Sequence, residues 1–156
     1  KSDKSLIPQT VIGQGDTQIS PLHNAMIMST IANGGVMMKP YIVDHIENYE
    51  GVNVKRFTPS VYKRLMTTGE AETMTELLEG VVDYGTGYAV NTDAYSVAGK
   101  TGTAEYNSEG KSHSWFVGFS NVDNPDIVVC VVVEEADTSG IRATNVARQI
   151  FDAYYQ

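Results

Sequence analysis

The densest chemistry in the chain lies in Gly99-Lys100-Thr101-Gly102-Thr103. On a strand, such a segment presents an ammonium, two hydroxyls and a closely approachable backbone to one anionic ligand. Phosphate is the first anion to test, because Gly99-Lys100-Thr101 matches the second half of the G-x-x-x-x-G-K-[ST] loop. That loop needs a glycine five residues before Gly99, where Ala94 stands, and a helix immediately afterwards. Here Gly102-Thr103-Ala104-Glu105-Tyr106 runs on as a strand, and Asn107 to Lys111 reads as a turn. A phosphate loop is excluded.

The other reactive side chains are more isolated. Cys130 sits inside Ile127-Val128-Val129-Cys130-Val131-Val132-Val133 and is expected to be a buried, inert thiol. His23 is expected to be a hydrogen-bonded structural histidine and His45 a surface one. Arg142 and Arg148 are expected to be solvated. Serine and lysine three apart occur twice, in Ser60-Val61-Tyr62-Lys63 and Ser108-Glu109-Gly110-Lys111. No cofactor and no metal are expected.

Composition limits the partners. A chain of 156 residues with 42% hydrophobic residues can bury one core. Its net charge of −8 argues against nucleic acid or anionic lipid as the main partner. No apolar run approaches the ~20 residues of a membrane helix.

The elements that must hold the Lys-Thr-Gly segment follow from spacing. Ser20 and Pro21 open a helix that Gly34-Gly35 closes, and its apolar residues leave little polar face, so it should be buried on most sides. Gly13-Gln14-Gly15-Asp16 before it reads as a tight turn. Tyr41 to Ile46 and Val52 to Phe57 form a hairpin around Asn48-Tyr49-Glu50-Gly51. Thr58-Pro59 can start a short helix. Thr67-Thr68-Gly69-Glu70 has the form of a capping box, and Ala71, Met74, Leu77-Leu78 and Val81-Val82 continue at helical spacing until Gly85-Thr86-Gly87. Strands follow over about 95–106, 113–121 and 126–134, antiparallel because the turns between them are short. The third is apolar at nearly every position and should be covered on both faces. A closing helix over about 143–154 offers Val146, Ile150, Phe151 and Tyr154 as its inner stripe. The fold class is α+β.

Four stretches together carry a resemblance. Gly13-Gln14-Gly15, Ser20-Pro21-Leu22, Ile31-Ala32-Asn33-Gly34-Gly35 and Lys39-Pro40-Tyr41 form the first group. Gly85-Thr86-Gly87-Tyr88-Ala89, Lys100-Thr101-Gly102-Thr103-Ala104-Glu105 and His113-Ser114-Trp115-Phe116-Val117-Gly118-Phe119 follow in order. This wording resembles the transpeptidase domain of penicillin-binding proteins, closest to the monofunctional, class B-like group, over about residues 12–154. The resemblance implies a partial penicillin-binding/serine β-lactamase-like fold: an antiparallel sheet covered by a C-terminal helix, with N-terminal helices and a small hairpin. The family also uses a nucleophilic serine in Ser-x-x-Lys and a Ser-x-Asn motif before Lys-Thr-Gly. Neither Ser-x-x-Lys here stands in the matching place, and no Ser-x-Asn occurs. Residues 1–156 are therefore expected to be the C-terminal part of one transpeptidase domain, its nucleophile lying upstream.

The resemblance implies roles for the segment first singled out. Lys100 would supply positive potential, and the hydroxyls of Thr101 and Thr103 would hold a substrate carboxylate. The Thr103 backbone N–H would be an oxyanion donor, and Gly102 would let a peptide run beside the strand. The implied substrate is a peptidoglycan stem peptide ending in D-Ala-D-Ala, mimicked by β-lactams, and the implied partners are cell-wall synthesis proteins. The implied place is the extracytoplasmic face of the bacterial membrane, the parent being anchored by an upstream helix. A β-lactam-sensing receptor domain and a non-catalytic cell-wall interaction module are the alternatives.

Overall fold

A computed structural model of the chain describes residues 7–11, 13, 18–105 and 111–156. The short helix α1 (Ile7–Val11) precedes α2 (Pro21–Ala32), β1 (Val36–Met38), β2 (His45–Glu47), β3 (Asn53–Arg56) and β4 (Val61–Arg64). Then come α3 (Thr68–Asp83), a 3₁₀ turn at Tyr88–Val90, β5 (Ala98–Glu105), β6 (Ser112–Ser120) and β7 (Ile127–Val133). The short α4 (Ala136–Ser139) and α5 (Ala143–Tyr154) close the chain.

The antiparallel sheet β5-β6-β7 is the frame. Its period-2 alternation sends residues to two cores. Val97, Phe116, Val129 and Val131 face α5 and join Val82, Val90, Ala143, Ala147 and Phe151. Ala98, Val117 and Phe119 face the other way and join Met28 and Ile31 of α2 and Leu78 of α3. So α3 contributes Leu78 to one core and Val82 to the other. β7 is sandwiched between α2 and α5, which accounts for its unbroken run of apolar residues.

The helix ends form as their sequences dictate. Ser20 Oγ accepts the His23 backbone N–H at 3.2 Å, and Pro21 occupies the first turn. Gly34 and Gly35 carry the helix exit at φ 59° and 88°, a region closed to most side chains. The capping box of α3 is complete: the Glu70 N–H donates to Thr67 Oγ1 at 3.2 Å, and Glu70 Oε2 accepts the Thr67 N–H at 2.7 Å. The first turn of α5 is capped from the sheet, where Ser114 Oγ accepts the Ala143 N–H at 3.0 Å.

Several expectations need correction. Thr58-Pro59 starts no helix. The chain there leads into β4, which pairs with β1 in a two-stranded sheet, because a strand partner 23 to 28 residues back (Met38↔Val61 to Val36↔Arg64) offers backbone hydrogen bonds that a one-turn helix would leave to solvent. The hairpin is present but shorter than expected, β2 pairing with β3 and every residue of both exposed. α2 is buried toward its C-terminal end, through Met28, Thr30 and Ile31, while Leu22 and Ile27 are exposed. The inner stripe of α5 is Ala143, Ala147 and Phe151 with Val146 packed beside it, whereas Ile150 and Tyr154 are exposed. His23 is exposed as well, and its bonded group is the backbone N–H. Residues Gln14–Asp16 of the expected tight turn, Tyr106 at the end of the expected first strand, and residues 107–110 lie outside the described residues.

Arg148 is not simply solvated. Its Nη1 donates to the Asn91 carbonyl at 2.6 Å and its Nε to Asp152 Oδ1 at 2.8 Å, while Tyr95 OH donates to the same carboxylate at 2.5 Å. Burial, with the Asp152 bond, pushes the Tyr95 phenol up to about 12. The Tyr95 ring stacks on Tyr155, centroids 4.7 Å apart, and Tyr155 OH donates to Asp126 Oδ1 at 2.5 Å. This cluster ties the end of α5 to the strand connections. Arg142 is more exposed, 4.0 Å from Asp137.

Candidate active site

The segment Lys100 to Thr103 lies within β5, an edge strand of the sheet. It lines a cleft of about 860 Å³ whose other walls come from α2 through Asn24 and Met28 and from α3 through Leu78. Trp115 and Val117 of β6 form the floor beneath it. The four residues singled out in the sequence, Lys100, Thr101, Gly102 and Thr103, therefore share one cleft.

Each is placed by a local cause. Lys100 is exposed, and its Nζ donates to the Thr101 carbonyl at 2.9 Å. That carbonyl thus takes an ammonium from the open side of the strand. A strand residue points its N–H and C=O to one side, and the next but one points the same way. The main-chain N–H and carbonyl of Thr103 therefore point to the same side of the strand as those of Thr101. Gly102 pairs in register with Trp115, and a Cβ at 102 would stand 3.2 Å from Trp115 Cβ. The bare position keeps the strand close to the indole. Thr103 is exposed and opposite Ser114.

Two further features were not legible as site features in the sequence. Thr86 Oγ1 lies 2.6 Å from Thr101 Oγ1, so the Gly85-Thr86-Gly87 turn reaches the Lys-Thr-Gly strand directly. The glycines on either side were the available signal, since they let that turn pack against α3: the Gly87 N–H donates to the Val81 carbonyl at 2.8 Å. The second is the Trp115 indole N–H, which is buried with no hydrogen-bond partner among the described residues. Leaving such a donor unpaired costs roughly 1–3 kcal/mol.

Other candidates fall outside the cleft. Ser60 is exposed at the start of β4, its carbonyl accepting the Lys39 N–H at 2.9 Å, and β4 pairs with β1 away from β5. Ser108 lies outside the described residues. Cys130 is half-buried on β7, where burial raises its thiol pKa and so disfavours the thiolate. His45 is exposed on β2, bonded to Asp44 and Glu47 at 2.9 Å each. Among the described residues no group of three or more His, Cys, Asp or Glu could hold a metal ion.

A three-stranded antiparallel sheet with helices on both faces, bearing Lys-Thr-Gly-Thr on an edge strand beside a cleft, defines the class to which comparison then assigns the chain. The family model described as "Penicillin binding protein transpeptidase domain" matches residues 2–152, and the chain belongs to that family. It is 32% identical over 162 residues to the peptidoglycan D,D-transpeptidase PbpA of Mycobacterium tuberculosis, covering 99% of this chain and 33% of that protein. The crystal structure of PBPA from M. tuberculosis superposes with a TM-score of 0.88 at 30% identity, over 99% of this chain and 38% of that one. The imipenem acyl-enzyme complex of penicillin-binding protein A from M. tuberculosis gives a TM-score of 0.85 at 32% identity, over 99% and 35% of the two chains. The chain thus spans about a third of the length of these relatives, and the α+β transpeptidase fold expected from the sequence is the fold observed.

Proposed function

We propose that this chain forms the Lys-Thr-Gly wall of a serine D,D-transpeptidase site, the C-terminal part of one transpeptidase domain whose nucleophile is carried by residues outside the chain. The parent protein cross-links peptidoglycan stem peptides ending in D-Ala-D-Ala, and β-lactams acylate it. The observation that carries this reading is the convergence of Lys100, Thr101 and Thr103 on one cleft beside an edge strand. The acyl-enzyme named for a similar structure supports it.

The chemistry follows from the groups present. A serine attacks the carbonyl between the two D-alanines, D-alanine leaves, and an amine of a neighbouring stem takes the acyl group. Negative charge develops on the carbonyl oxygen, where a main-chain N–H aimed at that point is worth most. The Thr103 N–H, on the same side of β5 as that of Thr101, is the group this chain supplies, and losing one such donor costs about 3–4 kcal/mol. The Thr101 and Thr103 hydroxyls hold the terminal carboxylate, and the Lys100 ammonium supplies the positive potential that draws it in. Gly102 leaves room for the stem peptide to lie along the edge as an added strand. On this reading the parent works on the extracytoplasmic face of the membrane, anchored by a helix outside this chain, together with other cell-wall synthesis proteins; its similarity to peptidoglycan D,D-transpeptidases supports the reading.

The test uses fluorescent penicillin on the parent and on this chain alone. The parent is labelled covalently and the isolated chain is not, and Lys100→Ala in the parent slows acylation by roughly 100-fold or more. Stable labelling of the isolated chain at Ser60 would contradict a nucleophile lying elsewhere. Unchanged acylation and cross-linking after Lys100→Ala would identify an interaction module instead. Acylation without cross-linking by the parent would identify a β-lactam sensor.

A further inference from the structure

The bond between Thr86 and Thr101 joins a turn to a strand across 15 residues of sequence. A threonine hydroxyl has one proton to give and two lone pairs to receive with. Two hydroxyls 2.6 Å apart share one of their protons between them, and only the other can serve a ligand. The outer proton belongs to whichever of the two hydroxyls accepts within the pair. Thr101 lines the cleft and Thr86 does not.

We propose that Thr86 is a positioning residue for the carboxylate site: it donates its O–H to Thr101 Oγ1 and so leaves the Thr101 proton directed into the cleft, toward an anion. In the opposite arrangement Thr101 would spend its proton on Thr86 and show an incoming carboxylate only lone pairs. An anion selects the first arrangement, and the chain of two hydrogen bonds strengthens both links.

The anchor is well held. Gly87 donates to the Val81 carbonyl at 2.8 Å, and a Cβ at Gly85 would stand 2.9 Å from the Val81 backbone, so the turn rests against the last turn of α3. The 3₁₀ turn that follows buries Val90 completely in the α5-side core. At the other end of Thr101, the Lys100 ammonium holds the carbonyl at 2.9 Å. Thr101 is therefore gripped at its backbone by one neighbour and at its hydroxyl by another. With valine at 86 the hydroxyl would be free to sample other staggered positions about χ1.

This inference rests on Thr101 binding the carboxylate, and the experiment separates the two. In the intact parent protein, acylation by a carboxylate-bearing penicillin and by its methyl ester is followed over a range of concentrations. The apparent dissociation constant is thereby resolved from the limiting acylation rate, for Thr86→Val, Thr86→Ser, Thr101→Val and the double valine variant. Thr86→Val weakens binding of the carboxylate form about tenfold, with the limiting rate changed by less than about threefold, and leaves the ester unaffected. Thr86→Ser restores binding, and the double variant is no weaker than Thr101→Val alone. If Thr101→Val fails to discriminate carboxylate from ester, the carboxylate reading of Thr101 falls, and this inference with it. If Thr101→Val discriminates but Thr86→Val matches the unaltered protein, only the inference is overturned. Equal losses for carboxylate and ester in Thr86→Val, or no recovery in Thr86→Ser, would reduce Thr86 to a structural residue and overturn it as well.

Discussion

Gly102 and Trp115 face each other across β5 and β6, with room between them for 3.2 Å and no more once a Cβ is built at position 102. The contact is tight and falls on the Trp115 Cβ, which moves only with its backbone, so the strand pair must ease by a few tenths of an ångström. Gly102→Ala should destabilise the chain by about 1 kcal/mol. Chemical unfolding of the two forms checks this, and a loss above about 3 kcal/mol would mean that the strand had shifted further than that.

Gly99 and Gly118 are a different case. They pair in register, and the Phe116 ring lies over both, 2.6 Å from a Cβ at 99 and 2.9 Å from one at 118. At 118 the new Cβ would also meet the Ala98 carbonyl oxygen at 2.7 Å, which is backbone and cannot rotate away. Phe116 is fully buried. Gly118→Ala should cost about 3 kcal/mol, well above Gly102→Ala, in the same unfolding measurement.

The capping box of α3 gives a local prediction. Thr67→Ala removes the acceptor for the Glu70 N–H, and should lower stability by about 1 kcal/mol. Thr67→Ser keeps the oxygen and should fall within a few tenths of a kcal/mol of the original. A serine variant as unstable as the alanine one would show that the threonine methyl, not the cap, matters.

Among the described residues, three carboxylates are held below their usual range. Glu70 is held below the usual range by the Thr67 backbone N–H and hydroxyl, Asp137 by Ser112, and Asp152 by Tyr95 and then Arg148. A carboxylate whose folded value is depressed binds fewer protons folded than unfolded. Its contribution is present above its unfolded value of about 4 and is lost as the pH falls through the folded one. Urea midpoints should decline as the pH falls below about 4. Asp152→Asn should flatten that decline while lowering the midpoint at pH 7. A midpoint independent of pH down to 3 would contradict the prediction.

His45 responds in the opposite sense. Its hydrogen bond to Asp44, then that to Glu47, raises its value above the ordinary 6.5. The pairing steadies the hairpin below about pH 6.5 and is lost as pH rises through the raised value. Proton resonances of the His45 ring should titrate above 6.5, and return to it when Asp44→Asn and Glu47→Gln are combined. An unchanged titration in that double variant would refute the pairing.

Much of the architecture could be read where its cause is local. Ser20-Pro21, the Thr67–Glu70 box and the apolar run of β7 each act within a few residues, and each produced the element expected. The failures are non-local. β4 forms because β1 is there to pair with it, and nothing near Thr58-Pro59 announces that partner. Arg148 was expected to be solvated; its Asp152 partner stands only four residues on, but Asn91 and Tyr95 lie 57 residues away from their respective partners, beyond the reach of local spacing. On α5 the small residues Ala143 and Ala147 face inward because they let the helix approach the sheet closely, and side-chain hydrophobicity alone ranks Ile150 and Tyr154 above them. The Lys100–Thr103 segment was legible because its residue types cluster. Thr86, a single hydroxyl between two glycines, needed the fold to bring it to Thr101.

The position of β5 at the margin of the sheet has one more consequence. A ligand laid along it meets main-chain atoms at every second residue, and main chain has no alleles. Substitution at 101, 102 or 103 exchanges side chains while the peptide N–H and carbonyl groups stay in place. Inherited change at the rail itself can therefore weaken a ligand's hold without erasing it. Variants that discriminate strongly against one ligand should arise in what sets the strand's position, the Phe116 layer beneath it and the turn carrying Thr86 beside it, sooner than in the residues the ligand touches.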